Sequence, residues 1–433
     1  MEHPTAMSLA LPAPPRDGPL LVGFSGGMDS SVLLHCLSTT PGLRARGLRA
    51  LHVHHGLHPE ADAWAAHCQV VCAGLGVPLQ VARVEVDPGS GLGREGAARA
   101  ARHAAFAQAL QDDEILVLAH HQDDQAETFL LRALRGSGVD GLAAMRAWRP
   151  YARGWLWRPL LELPRMALAA HAQRHALRWL DDPANADPSF DRNFLRQQVL
   201  PLLQRRWPQA AANLARSAAL AAQATDLLDT DDTALLASMR LSADTLDAAA
   251  LRALAPARRA RVLRHWIAAL RLPPLPGQAV ARIERELLDA PHDANPRIDW
   301  HGARLQRWRN QLHAGPLRDP LPLGWETLWD GRAPLALPTG DVLELHGRAG
   351  FEAPLRVHAR RGGERIRLPG RAHSHALKHV LQEAGIPPWR RERLPLLSAA
   401  DGTLLAAGDG ILAAPLANWL QSRGARLQWV EPG

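Results

Sequence analysis

Through its first two hundred residues the chain alternates short apolar runs with longer segments of helical periodicity, and this alternation restricts the fold more than any other feature. The runs at 20–24, 49–53, 79–86 and 114–119 read as strands; the segments 30–37, 62–75, 94–110 and 122–135 read as helices. Strands joined through crossover helices lie parallel and wind with a fixed hand. The expected fold is therefore α/β, a doubly wound parallel sheet, with ligands at the carboxyl ends of its strands. The motifs of the first two hundred residues lie at such an end or on the helix that follows it.

Ser25-Gly26-Gly27-Met28-Asp29-Ser30 links the first strand to the first helix. Two glycines let the backbone turn tightly and approach an anion. Free amides at a helix start, with the helix dipole, favour phosphate. Ser25 and Ser30 add hydroxyl donors, and Asp29 suits a magnesium ion held against phosphates. No Gly-Lys-Ser/Thr follows, so this is not the lysine-containing loop of the common nucleotide hydrolases. It resembles the pyrophosphatase-type loop of enzymes that split ATP to AMP and pyrophosphate.

A second constellation follows the fourth strand: His120-His121-Gln122-Asp123-Asp124-Gln125-Ala126-Glu127. On a helix Asp123 and Glu127 lie four apart and Asp124 and Glu127 three apart, so carboxylates converge near the phosphate loop. Helix capping accounts for one acid there, not for three. Arg135-Gly136-Ser137-Gly138 ends that helix, as a glycine cap or as further phosphate contacts.

At 433 residues the chain has room for about three domains. The expected division is 1–207, a nucleotide-binding catalytic domain; 208–330, a helical middle domain, almost purely helical to about 290; and 345–433, a small C-terminal α/β domain. The balance of 50 basic against 43 acidic residues, net +7, is compatible with a polyanionic partner. Lys378 is the sole lysine, and every other basic residue is arginine. The three cysteines make no disulfide framework. Cys68 and Cys72 fit a buried helix face, and with His54, His55, His58 and His121 they are not expected to form a zinc site. No apolar run reaches membrane-spanning length and the first residues do not read as a secretory leader, so a cytoplasmic protein is expected.

Together these elements resemble the tRNA(Ile)-lysidine synthetase family within the PP-loop ATP pyrophosphatases. The resemblance rests on the Ser25–Ser30 loop, His52-Val53-His54-His55-Gly56-Leu57, Arg94-Glu95-Gly96-Ala97-Ala98-Arg99 and the His120–Glu127 block with Arg135-Gly136-Ser137-Gly138. Arg158-Pro159-Leu160-Leu161, Asp182-Pro183-Ala184-Asn185-Ala186-Asp187, Arg192-Asn193, Leu377-Lys378 and Pro387-Pro388-Trp389-Arg390 extend it. The chain departs from the family pattern at His54, Gly96 and His103. The resemblance implies an adenine nucleotide alpha hydrolase-like fold and an ATP- and magnesium-dependent ligase that forms a C–N bond. ATP would adenylate the C2 carbonyl oxygen of the wobble cytidine in the CAU anticodon of an isoleucine tRNA. Free lysine would then displace AMP, giving lysidine.

Within that reaction Asp29 and the loop from Ser25 through Gly26, Gly27 and Met28 to Ser30 are expected to hold magnesium pyrophosphate. Asp123, Asp124 and Glu127 are expected to share proton removal and binding of the lysine ammonium. Arg99 and Arg192 are candidates for phosphate or the substrate carboxylate. Candidate tRNA contacts are Arg205, Arg206, Arg258, Arg259, Lys378, Trp389 and Arg390. The Arg258 cluster reads equally as a solvated helix face, and Lys378 as a chance survivor. A thiolase of the same superfamily would need a paired catalytic cysteine or a Cys-x-x-Cys cluster site, and a glutamine-dependent enzyme an amidotransferase domain; neither is evident. A non-catalytic RNA-binding protein would not need the complete loop and acidic block.

Overall fold

The computed structural model describes residues 9–87, 89, 93–291, 294–347 and 350–431. The first eight residues, and the side chains of the motif residues Arg94 and Asn185, lie outside the described part. The chain divides into two compact units between Thr230 and Asp231.

The first unit is built on the parallel strands β1 (Leu20–Gly23), β2 (Leu48–His54), β3 (Leu79–Arg83) and β4 (Ile115–Val117). Between them run α1 (Met28–Thr39), α2 (Ala61–Leu75) and α3 (Gly93–Ala109), and α4 (Gln122–Leu134) follows β4. A hairpin, β5 (Trp148–Tyr151) and β6 (Gly154–Trp157), then leads to α5 (Arg165–Arg174). The sheet order is β3-β2-β1-β4-β6-β5, with β6 parallel to β4 and β5 antiparallel at the edge. The hairpin was not legible as strand: each arm has four residues, and Pro150 is tolerable only because β5 is an edge strand.

Period-two alternation explains the two helix layers. Leu20 and Val22 face Leu33 and Leu37 of α1, Cys68 and Cys72 of α2, and Leu168 and Ala172 of α5. Leu21, Leu51, Leu116 and Leu156 face the other way, onto Phe106 of α3 and Leu110 just beyond it. The sheet is thus covered on both faces. Its order reverses between β1 and β4, and a crevice at their carboxyl ends follows. After α5 the chain forms a helical stretch through Asp191–Phe194, a wider π turn at Leu195–Val199, and Leu200–Arg206. Pro201, which has no N–H to donate, stands where the π turn ends.

The second unit departs from the expected run of pure helix up to 290. The hairpin Arg240–Ser242 and Thr245–Asp247 interrupts the helices and joins Arg297–Trp300, Ala303–Trp308 and Gln311–Pro316 in a five-stranded antiparallel sheet. Helix Pro256–Ala269 packs Val262, Leu263, Trp266 and Ile267 into the core formed with this sheet. A separate C-terminal core draws in Leu321, Trp329, Leu337 and Leu343, so it starts ahead of residue 345. The glycines and prolines between 315 and 338 hide those short strands from a periodicity reading. Among the described residues no helix is long and apolar enough to cross a membrane.

Candidate active site

The carboxyl ends of β1, β2 and β4 open into a cleft of about 1340 Å³. Its floor is the loop before α1. Gly26 has φ +85°, and a Cβ there would lie 3.0 Å from Cys68 Sγ and 3.1 Å from Leu180 Cδ1, so both conformation and space require glycine. The Gly27 amide donates to Ser25 Oγ (3.3 Å), Ser30 Oγ donates to the Gly27 carbonyl (2.9 Å), and the two hydroxyls are 3.1 Å apart. No side chain caps α1, so its first-turn amides stay available to a ligand.

Asp29, in the first turn of α1, is the hinge of the electrostatics. Its Oδ1 is buried without a hydrogen-bond partner, the Arg165 Nε standing 3.8 Å away. Its Oδ2 lies 3.6 Å from His121 Nε2. His121 stands at the N-cap position of α4, is almost fully buried, and also meets Asp124 at 3.4 Å and Asp123 at 3.6 Å. Burial alone would lower the His121 pKa; the carboxylates of Asp123 and Asp29, each 3.6 Å away, and the charge of Asp124 outweigh it and push it up to about 9. A cationic imidazole therefore joins the phosphate loop to the acidic block. Burial would raise Asp124, but His121 and Arg192 hold it down to about 2.

This arrangement has a sign that can be checked. The His121 pKa is raised on folding, so its stabilising contribution is complete below the unfolded value of 6.5 and is lost as pH rises through about 9. Without nucleotide or magnesium, the stability gap between wild type and His121→Asn should narrow across that window by on the order of 3 kcal/mol. Chemical denaturation at a series of pH values measures it; a constant gap would mean His121 is neutral throughout.

Glu127 is fully buried. Arg196 Nε donates to its Oε1 (2.6 Å), and Arg192 Nε (2.7 Å) and Arg196 Nη2 (3.0 Å) donate to its Oε2. The same two guanidiniums reach Asp124 Oδ1 at 2.9 and 3.0 Å. Two arginines and two carboxylates thereby fasten the 191–206 stretch to α4. Asn193 Nδ2 donates to the carbonyls of Ala184 and Asp187, both at 2.9 Å, and so sets the 182–187 loop along the cleft.

The opposite wall is positive. Arg99 and Arg102 of α3 line the cleft, and among the described residues neither has an ion-pair partner. Desolvation, then repulsion from neighbouring arginines, lowers the pKa of both. Unneutralised guanidiniums beside a cleft attract anions. His120 is pushed down to about 3, chiefly by burial, and accepts a hydrogen bond from Arg158 Nε at 3.1 Å. His55, pushed down to about 4 by burial and then by Arg102, leaves its Nδ1 without a partner. His58 stacks on Trp64 at 4.6 Å, giving the cleft an aromatic surface.

The cleft thus gathers Ser25, Gly27, Met28, Asp29, Ser30, Arg99, Asp124 and Arg192. Asp123 and Glu127 stand behind its wall. Asp123 Oδ2 accepts from the Arg165 amide (2.9 Å), and Glu127 is enclosed by its two arginines, so of the three acids Asp124 alone lines the cavity. Arg205 and Arg206 are exposed. In the second unit Arg259 spends its guanidinium on the carbonyls of Leu251, Arg252 and Leu254 and on Glu284. Arg258 pairs with Asp231, and the cluster acts as an internal brace. Lys378 is exposed. Trp389 has one face stacked on His313 (4.5 Å), and Arg390 pairs with Glu431 over the Trp429 ring. Reading the sequence missed Arg102, Arg165 and Arg196, and set His121 aside as a rejected metal ligand. Its place directly before an acidic first helical turn was the available signal.

The PP-loop domain family matches residues 3–203, the TilS substrate binding domain residues 246–313, and the TilS substrate C-terminal domain residues 355–429. The tRNA(Ile)-lysidine synthase of Xanthomonas campestris pv. campestris is 58% identical over 421 residues, 97% of this chain and 96% of its own length. That of Xylella fastidiosa is 54% identical over 432 residues, 98% of each chain. That of Pseudomonas aeruginosa is 43% identical over 443 aligned residues, covering 97% and 95%. With likeness of this extent over nearly the whole length, and a phosphate loop tied through one buried histidine to an acidic helix, the chain belongs to the tRNA(Ile)-lysidine synthase family.

Proposed function

We propose that the chain joins free lysine to C2 of the wobble cytidine in the CAU anticodon of tRNA(Ile). The C2 carbonyl oxygen attacks the α-phosphorus of ATP and pyrophosphate leaves. The lysine side-chain amine then attacks C2, AMP leaves with the former carbonyl oxygen, and the nitrogen loses a proton. The observation that carries this reading is the Asp29–His121–Asp124 chain facing the unpaired Arg99 and Arg102 across one cleft. Guanidiniums that attract a polyanion, across from a carboxylate that can orient an ammonium, support a reaction between those two substrates.

The lysine amine has an ordinary pKa of about 10.4 and must react neutral. Asp124, held down to about 2, is a weak base, so its part is to orient the ammonium. The positive field of Arg99 and Arg102 lowers the amine's pKa and eases proton loss to water. The orphaned Asp29 Oδ1 beside the loop suits a hard dication, and magnesium bound there would neutralise the departing pyrophosphate. Asp123 and Glu127 position His121, Arg192 and Arg196.

The reading takes 1–207 as the catalytic domain, with the remainder, whose C-terminal core starts ahead of residue 345, serving tRNA binding in a cytoplasmic protein. Arg205, Arg206 and Lys378 are the exposed cations we assign to the tRNA backbone, with Trp389 and Arg390 beside them in the assignment. Arg205→Ala and Arg206→Ala should each lower the salt dependence of tRNA affinity by about one unit of slope; an unchanged slope removes that residue from the interface. The decisive assay is labelled lysine incorporation into an isoleucine tRNA with a CAU anticodon, beside the methionine tRNA of the same anticodon. Incorporation into the first alone, with AMP release requiring both substrates, is expected. Incorporation into neither, or AMP release without tRNA, would overturn the reading.

A further inference from the structure

We propose that His35, Cys36 and His171 form a structural site for a tetrahedral transition-metal dication of the zinc class, clipping α1 to α5. His35 Nδ1 lies 3.1 Å from His171 Nε2, and Cys36 Sγ lies 3.6 Å from the same nitrogen. One ligand atom from each of the three falls within 4.8 Å of the others. A tetrahedral ion with Zn–N bonds of about 2.0 Å and Zn–S of about 2.3 Å has N–N edges of about 3.3 Å and N–S edges of about 3.6 Å. The two edges that meet at His171 Nε2 already stand near those separations, and the third, between His35 and Cys36, lies within 4.8 Å.

Two further observations point the same way. His171 is 7% exposed, so the Nε2 that a ring nitrogen and a sulfur both approach is largely shut from solvent. His175 lies one helical turn beyond His171, its ring centroid 4.4 Å from that of His171 and 4.6 Å from that of His35, so it adjoins the cluster without being one of its three ligands, and the fourth position faces solvent or a turned His175 ring. Against this stands the expectation from sequence of no zinc or iron-sulfur cluster in the chain, which weighs Cys68, Cys72 and the histidines of the cleft but not these residues.

The clip joins two helices that both begin at the cleft: Asp29 sits in the first turn of α1, and Arg165, the first residue of α5, lies 3.8 Å from it. Binding metal at the cluster therefore fixes one helix start against the other, and its measurable sign is stability rather than turnover.

The test uses the full chain without a polyhistidine tag, stripped by chelator and titrated with cobalt(II). Wild type should saturate at one cobalt per chain, with a thiolate-to-cobalt charge-transfer band and intense tetrahedral d–d absorption. Zinc should displace the cobalt and raise the Tm by several degrees over the stripped protein. Cys36→Ser should remove the charge-transfer band, and Cys68→Ser should keep it. No band in wild type at stoichiometric cobalt, or a band kept in Cys36→Ser and lost in Cys68→Ser, overturns the site and leaves a His35–His171 hydrogen bond. Should Cys36→Ser fail to fold, X-ray absorption of the zinc-loaded wild type decides: a shell of one sulfur with nitrogens supports the clip, and an all-oxygen shell refutes it.

Discussion

Asp29→Ala should lower tRNA- and lysine-dependent AMP release by about 100- to 1000-fold while leaving the fold intact. The fold survives because the Asp29 carboxylate makes no close hydrogen bond: its contacts with His121 and Arg165 are 3.6 and 3.8 Å. His121 keeps Asp123 and Asp124 as counter-charges when Asp29 is gone. ATP binding should weaken far less than turnover, since the Ser25 and Ser30 hydroxyls and the first-turn amides of α1 remain. The loss belongs in the chemical step, where negative charge builds on the leaving pyrophosphate and a dication held at Asp29 Oδ1 would offset it. Asp29→Asn keeps the shape and removes the charge, so it should fall as far as the alanine variant. Single-turnover AMP formation beside equilibrium ATP binding separates the two effects, and near-normal turnover in both variants would take Asp29 out of the reaction.

What the sequence showed of this site, and what it hid, follows from the range over which each kind of pattern acts. The strands β1 to β4 and helices α1 to α4 are local patterns, since each apolar run carries its own period, and the phosphate loop is six contiguous residues. The division of labour among the acids is not local. Asp124 and Glu127 are fixed by Arg192 and Arg196, more than sixty positions away, and no spacing within the 120–127 block reveals that. Helical periodicity puts both Asp123 and Asp124 beside Glu127, and only the arginines select Asp124 as its partner. Arginine clusters were ambiguous for another reason. In a chain with a single lysine, arginine serves as brace and as surface charge alike, and only the carbonyls around Arg259 show which role it has. The hairpins at 148–157 and 240–247 escaped because their arms, of three or four residues, are shorter than a periodicity window.

Glu127→Gln should destabilise the first unit by about 3 kcal/mol, the largest stability loss expected of a single polar substitution in this site. Glu127 is fully buried, and both its oxygens are bonded by guanidiniums that are themselves mostly covered, 23% and 32% exposed. Glutamine keeps the volume but turns one acceptor into a donor facing Arg196 or Arg192, and two cations are left with Asp124 as their sole carboxylate. Removing one partner of a buried pair is costly because the desolvated charge stays behind. The 191–206 stretch should loosen from α4, since these four side chains fasten it there, and Arg192 should drift from the cleft wall. Catalysis should then fall even in the fraction that remains folded. Replacing Glu127, Arg192 and Arg196 together by Leu, Met and Met should recover only part of the stability, because Asp124 then keeps His121 alone as its counter-charge, and none of the activity, because apolar packing does not substitute for a charge at the cleft. Urea unfolding of the single and triple variants checks this. If Glu127→Gln costs less than about 1 kcal/mol, the pairs are screened as surface bridges are, and the stretch must be held to α4 by its apolar contacts, Leu200 against Ala126, instead.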